Sequence, residues 1–259
     1  MRTILPIIVL ICASTTHAQM MSTKSDPPAP GWVAYKTPTD DELRCANYSR
    51  REWKVVRKGD QVAVTLDPRS REVVHVVRVP DGWLTGNDFG EFGGGLWWSS
   101  ADHRRQKKLS NENIMGFVNS SKGVLALGGL SHMGMDEGVV LRITDGPGGQ
   151  RKAVRLADLG WAPWAFVSES PDSLIVLTTD GIARVKTSGT VEQLYRTRYH
   201  LLYPNSMTLS PSGVIHIGMR HFITRLTPNG KTYHEEWFVR ADCTQFTQGD
   251  YDCVCASKQ

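Results

Sequence analysis

The chain has 259 residues, 40% of them hydrophobic and 22% charged, an ordinary globular composition with enough apolar material for one large domain. A formal charge of +4 and a sequence pI of about 8.8 are too mild to argue for nucleic acid as a partner. No stretch reaches the roughly 18 consecutive apolar residues of a membrane-spanning helix, so no membrane span is expected.

In chain order, Arg2 is followed by an apolar run over residues 4–13 and by Thr16-His17-Ala18. This pattern predicts a signal peptide over 1–18, cleaved after Ala18, and hence a periplasmic or secreted protein. Cys12 follows Ile11, not the small residue that precedes a lipid-modified cysteine. Losing Arg2 takes the net charge from +4 to +3. Pro27, Pro28, Pro30 and Pro38 lie among small and charged residues, so 19–44 reads as an extended tether. Residues 45–259 are then the folded domain with its cysteine-containing tail, expected to be a monomer.

Four cysteines remain after cleavage: Cys45, Cys243, Cys253 and Cys255. An even number in an exported chain reads as two disulfides, with three connectivities open. Cys253 and Cys255 are separated by one residue, and bridging them would strain the bond. Cys45 is therefore expected to pair with one tail cysteine and Cys243 with another. The usual C-x-x-C pairs of a zinc site are missing.

From 53 to 239 the chain is a succession of short β-type runs bounded by Gly, Pro, Ser or Asp, without a helix-period segment. Residues 54–66 and 73–79 are β-branched runs separated by the turn signal Asp67-Pro68-Arg69-Ser70. A unit then recurs. Ser120-Ser121-Lys122-Gly123, Ser170-Pro171-Asp172-Ser173 and Ser210-Pro211-Ser212-Gly213 each lead into a short apolar strand. Each is followed by a run centred on an arginine (Arg142, Arg184, Arg225) that reaches a glycine turn at Gly146, Gly189 or Gly230. Such meanders bury both faces only by stacking on neighbours. An all-β fold is expected: a β-propeller of four or five four-stranded blades, with termini tied by disulfides. Its first blade would be degenerate and include 96–99, and its last would be completed by an N-terminal strand. A β-sandwich does not predict the repeated turn and arginine.

Candidate ligand-binding residues concentrate in one segment. Asn87, Asp88 and Glu91 sit among Gly86, Gly90, Gly93, Gly94 and Gly95, so the loop can present carboxylates at close backbone approach. The plainer reading is a tight turn in which Asn and Asp bond their own backbone. Trp97 and Trp98 point to opposite faces of a strand, one able to pack between blades and the other to line a groove. Trp161 and Trp164 form a second aromatic cluster. His132, near Asp136 and Glu137, has the surroundings of a general base or ligand, or of a structural loop histidine. His216 reads as an interior histidine. Arg104, Arg105, Lys107 and Lys108 fall where an outermost strand belongs and guard it against edge-to-edge pairing. Neither G-x-S-x-G nor HExxH is present.

Residues 86–98 (Gly-Asn-Asp-Phe-Gly-Glu-Phe-Gly-Gly-Gly-Leu-Trp-Trp) and Gly129-Leu130-Ser131-His132-Met133-Gly134 resemble an uncharacterised family of exported bacterial propeller-like proteins. That resemblance implies the fold and no activity. Pro204-Asn205 through Ser210-Pro211-Ser212-Gly213 is similar to a stretch of gluconolactonase-type propellers. It implies Asn205 as a ligand of a divalent cation such as Ca2+, although the later aspartate of that family has no counterpart after Gly213. The expected function is a ligand- or protein-binding propeller engaging a glycan, peptide or protein of the cell envelope, with an inhibitor or immunity role as one form. The alternative is a metal-dependent hydrolase or lactonase using Asn205, Glu91 and Asp88.

Overall fold

The structure is a computed structural model that describes residues 26–67, 73–145 and 150–256. The expected signal peptide, the turn residues Pro68, Arg69 and Ser70, and Gly146 lie outside them. The first elements are β1 (Trp32–Tyr35), α1 (Asp40–Asn47) and a hairpin of β2 (Trp53–Lys58) and β3 (Gln61–Leu66). Three four-stranded antiparallel sheets follow, and then a fourth whose four consecutive strands are joined by β1. Blade I holds β4 (Val74–Val79), β5 (Gly82–Asp88), β6 (Gly94–Ser100) and β7 (Gln106–Ser110). Blade II holds β8 (Ile114–Ser120), β9 (Gly123–His132), β10 (Met135–Asp145) and β11 (Arg151–Asp158). Blade III holds β12 (Pro163–Ser170), β13 (Ser173–Thr178), β14 (Gly181–Lys186) and β15 (Val191–Arg196). Blade IV holds β16 (Ser206–Leu209), β17 (Ile215–Gly218), β18 (Ile223–Asn229) and β19 (Thr232–Arg240). A short tail hairpin of β20 (Phe246–Gln248) and β21 (Cys253–Cys255) ends the chain.

The first strands of successive blades, β4, β8, β12 and β16, lie beside one another, and β2 lies beside β16. The sheets are thus stacked radially, as a β-propeller with four full blades and a two-stranded fifth position. Strand β13 shows why. Leu174 and Val176 join the apolar seam with blade II, while Ile175 and Leu177 join the seam with blade IV. Alternate side chains of one strand point to opposite faces, so a strand apolar at every position needs a neighbour on each side. Leu84, Leu96, Ile114 and Val139 fill the seam between blades I and II, and Val55, Trp32, Ile223 and Phe238 fill the one between blade IV and the hairpin.

The repeated arginines occupy the third strand of blades II, III and IV. Arg184 bridges Glu169 of β12 and Glu192 of β15 at 2.8 and 3.0 Å. Arg225 pairs with Glu236 at 2.8 Å, and Arg142 donates to the carbonyl of Thr187 in the next blade. The degenerate unit differs from expectation: residues 96–99 belong to a complete blade, and the reduced unit is β2–β3.

Residues 32–44 correct the tether reading. Strand β1 pairs antiparallel with β19, Trp32 opposite Arg240, and adds a fifth strand to blade IV. Helix α1 starts at a capping box: Thr39 accepts from the Glu42 backbone N–H, and Glu42 accepts from that of Thr39. Asp40, Asp41 and Glu42 in its first turn complement the helix dipole. Local capping and the free edge of β19 outweigh the prolines. Cys45 bonds Cys253 across 208 residues, and Cys243 bonds Cys255. The two disulfides agree with an oxidising compartment. Among the described residues no helix is long and apolar enough to cross a membrane.

A loop of 208 residues implies a cross-link worth about 5 kcal/mol on the loop-entropy model. Urea unfolding of a Cys45→Ser/Cys253→Ser variant should show a loss approaching that value with an unchanged native spectrum. A loss under about 1 kcal/mol would mean that the β1–β19 ladder alone holds the ends.

Candidate functional site

At one end of the ring, β5 finishes, β9 finishes and β12 begins. After Asp88 the chain makes a tight 3₁₀ turn over Gly90–Phe92. Asp88 Oδ1 accepts from the Gly90 N–H at 3.0 Å, and Asn113 Nδ2 donates to the Gly90 carbonyl at 2.9 Å. Gly94 is obligatory, since a Cβ there would sit 2.3 Å from Asn113 Oδ1. So the turn reading of this glycine-rich segment holds for Asp88, and the same turn delivers Glu91 elsewhere. Glu91 Oε2 lies 2.6 Å from His132 Nε2, with both side chains partly exposed.

Asp88, Glu91 and His132 line one cavity of about 160 Å³, together with Ser131, Pro163 and Trp164. Asn87 is not among them, because its neighbour position on β5 turns it to the face that carries Thr85. The two tryptophans also diverge. Trp98 packs in the seam between blades I and II, with Arg105 5.7 Å above its ring. Trp97 lies on the opposite face, with Lys108 at 5.3 Å. Asp136 is engaged structurally, accepting from the Ala162 N–H and the Thr179 hydroxyl, each at 2.7 Å.

Asn205 lines a second cavity of about 480 Å³ along the innermost strands β2, β12 and β16. Its Oδ1 accepts from Ser206 Oγ at 2.8 Å, and its buried Nδ2 has no hydrogen-bond partner among the described residues. Met115 and Trp164 line both cavities. Asn205 and the carboxylates Asp88 and Glu91 therefore line different cavities with a shared wall. Among the described residues no group of three His, Cys, Asp or Glu side chains is arranged to hold a metal ion.

The loops that supply Glu91 and His132 to the smaller cavity also carry exposed apolar side chains, Phe92 and Met133, which the sequence alone did not single out. Phe92 is 87% exposed beside Glu91, and Met133 is 88% exposed beside His132. Phe89 is exposed on the same loop as Phe92, and Trp161 on the segment leading into β12, while Tyr203 packs edge-on to Trp164 with Arg220 4.0 Å from its ring. The only sequence signal was the turn Ser131-His132-Met133-Gly134, where Met133 takes a positive φ of 48°.

No protein-family model matches the sequence, and no curated protein does. Among solved structures, a protein of unknown function from Bacteroides caccae is 11% identical, with a TM-score of 0.39 over 77% of this chain and 76% of the other. A virginiamycin B lyase from Staphylococcus aureus is 14% identical, with a TM-score of 0.35 over 72% of this chain and 55% of the lyase. A glucose dehydrogenase is 10% identical, with a TM-score of 0.34 over 68% and 88%. The chain thus spans about half the length of the lyase. The neighbours are propeller-type proteins of varied activity, and likeness at this level transfers none of it.

Two buried histidines lie in blade IV, away from the smaller cavity. His216 is pulled down to about 4 by burial and by Arg225, against the opposing pull of Glu236. His221 also falls to about 4 through burial and Arg51, opposed by Asp252. Its ring sits between Ser49 Oγ, 3.3 Å away, and Phe246, at 4.2 Å. A histidine whose folded value lies below its unfolded one destabilises the fold as pH falls, because the unfolded chain takes up the proton first. From pH 7.5 to about 5 the two together should withdraw up to about 4 kcal/mol. Urea unfolding across that range should show the loss, and a His216→Gln variant should show about half of it. A flat profile in the wild type would refute neutral burial.

Proposed function

We propose that the protein is an exported binding propeller that grips a protein or peptide of the cell envelope with the loop end carrying Asp88, Glu91 and His132. The apolar leader over 1–18 and the two disulfides support placing it beyond the cytoplasmic membrane. The observation that carries the reading is the exposed apolar pair: Phe92 and Met133, next in sequence to the paired Glu91 and His132, stand almost fully in solvent.

Large apolar side chains left this exposed on ordered loops mark a contact surface. A polar pair next to such side chains has the anatomy of an interface. The aromatic and methionine side chains supply desolvated contact, and the His–carboxylate pair fixes orientation through hydrogen bonds. The cavity behind is small, sized for a partner's side chain rather than for a large substrate. An inhibitor or immunity protein, inserting its loops into a partner's cleft, is one form this surface suits.

Affinity capture from the native envelope tests the reading, with the mature wild type beside a Phe92→Ser/Met133→Ser variant. One stoichiometric polypeptide should be retained by the wild type, and the variant should bind it at least about tenfold more weakly. Undiminished retention by the variant, or capture of a glycan alone, would overturn it.

A further inference from the structure

Each seam of the ring is filled by one buried cluster except the seam at the fifth position. Among the described residues no buried apolar cluster joins the hairpin β2–β3 to blade I. The hairpin leans on blade IV: Val55 enters that seam, the Val55 N–H donates to Ser206 Oγ at 2.9 Å, and the Trp53 N–H donates to the Met219 carbonyl at 3.1 Å. Among the described residues strand β3 pairs with β2 alone, which leaves its outer row of backbone groups as a free sheet edge.

Blade I is covered on one side only. Val77, Val79, Leu84 and Trp98 pack on blade II, and Gly86 lies so close to Ile114 that a Cβ would meet it at 2.3 Å. The opposite face is turned toward the hairpin by the order of the ring. It exposes Val74 (44%) and Val76 (58%) and holds a cavity of about 450 Å³ lined by Val76, Trp83, Thr85, Ser99, His103 and Gln106. The charges on the two walls have one sign. Lys54 and Lys58 alternate with Val56 on the uncovered face of β2, while Arg78 and Lys108 flank Trp83 and Trp97 on blade I. No strand residue of either face is a carboxylate.

We propose that the unfinished fifth blade is completed by an acidic β-strand from a partner polypeptide, which adds to the free edge of β3 and lies against the uncovered face of blade I. The backbone of the incoming strand would satisfy the edge of β3. Its alternate apolar side chains would cover Val74, Val76 and the Trp83 cavity, and its carboxylates would meet Lys54, Lys58, Arg78 and Lys108. Strand addition of this kind takes its affinity from main-chain hydrogen bonds and its selectivity from side-chain pockets and charge. This surface is separate from the exposed Phe92–Met133 pair, so either assignment can fail alone.

The test uses the mature, disulfide-bonded chain and three probes: a short peptide alternating valine with glutamate, its valine–lysine counterpart, and polygalacturonate as an anionic glycan. The glutamate peptide should slow amide exchange across Gln61–Leu66 and perturb tryptophan fluorescence. Its affinity should fall at least about tenfold in a Lys54→Glu/Lys58→Glu variant and stay unchanged in Phe92→Ser/Met133→Ser. Equal binding of the lysine peptide would overturn the proposal. So would a β3 edge that no peptide protects, a response to polygalacturonate alone, or a dimer in which β3 is already protected by a second copy.

Discussion

The structure depends on one constraint: sheets that are apolar on both faces have no stable existence alone. Residues 174–177 send their side chains alternately into two seams, so blade III is meaningful only between blades II and IV. The whole of the central architecture follows from repeating that demand. The turns between first and second strands need only be short and polar, which is why Gly123 and Gly213 take positive φ values of 98° and 81° there. Ion pairs such as Arg184 with Glu169 and Glu192 tie strands within a blade at its wetter face, where burial contributes less.

Where the repetition stops, the chain uses other means. Blade IV gains β1 from the N-terminal side, α1 packs near the tail hairpin, and the Cys45–Cys253 bond fixes the arrangement. The Arg220–Glu52 pair, largely buried at 2.7 Å, adds a further tie between blade IV and the segment leading into β2. Among the described residues the hairpin itself buries only one of its two faces. The ring is therefore built asymmetrically, tight around blade IV and open beside blade I.

Much of this was legible in the sequence, because repeated turns and strand alternation are local properties. The three Ser-led turns and the arginine-centred strands rest on patterns within a few residues, and the N-terminal completion of the last blade was suggested by cysteines near both ends of the domain. Helix α1 was not legible: eight residues are too few for a periodicity, and the prolines before Thr39 masked its capping box. The divergence of Asn87 from Asp88, and of Trp97 from Trp98, follows from the two-residue period of a strand once register is known. That Glu91 meets His132, while Asn205 faces a different cavity, depends on how blades stack, which no local pattern encodes. The exposed Phe92 and Met133 escaped notice because apolar residues are first read as core.

The covalent tie between the two ends gives the chain the connectivity of a circle from Cys45 to Cys253. One proteolytic cut in any loop between them would open that circle without separating the pieces. Both would remain on one molecule, held by sulfur at one point and by stacked sheets everywhere else. Damage of this sort would pass unnoticed on a non-reducing gel and appear only once the bond is reduced. A ring that survives its first nick outlasts one that does not.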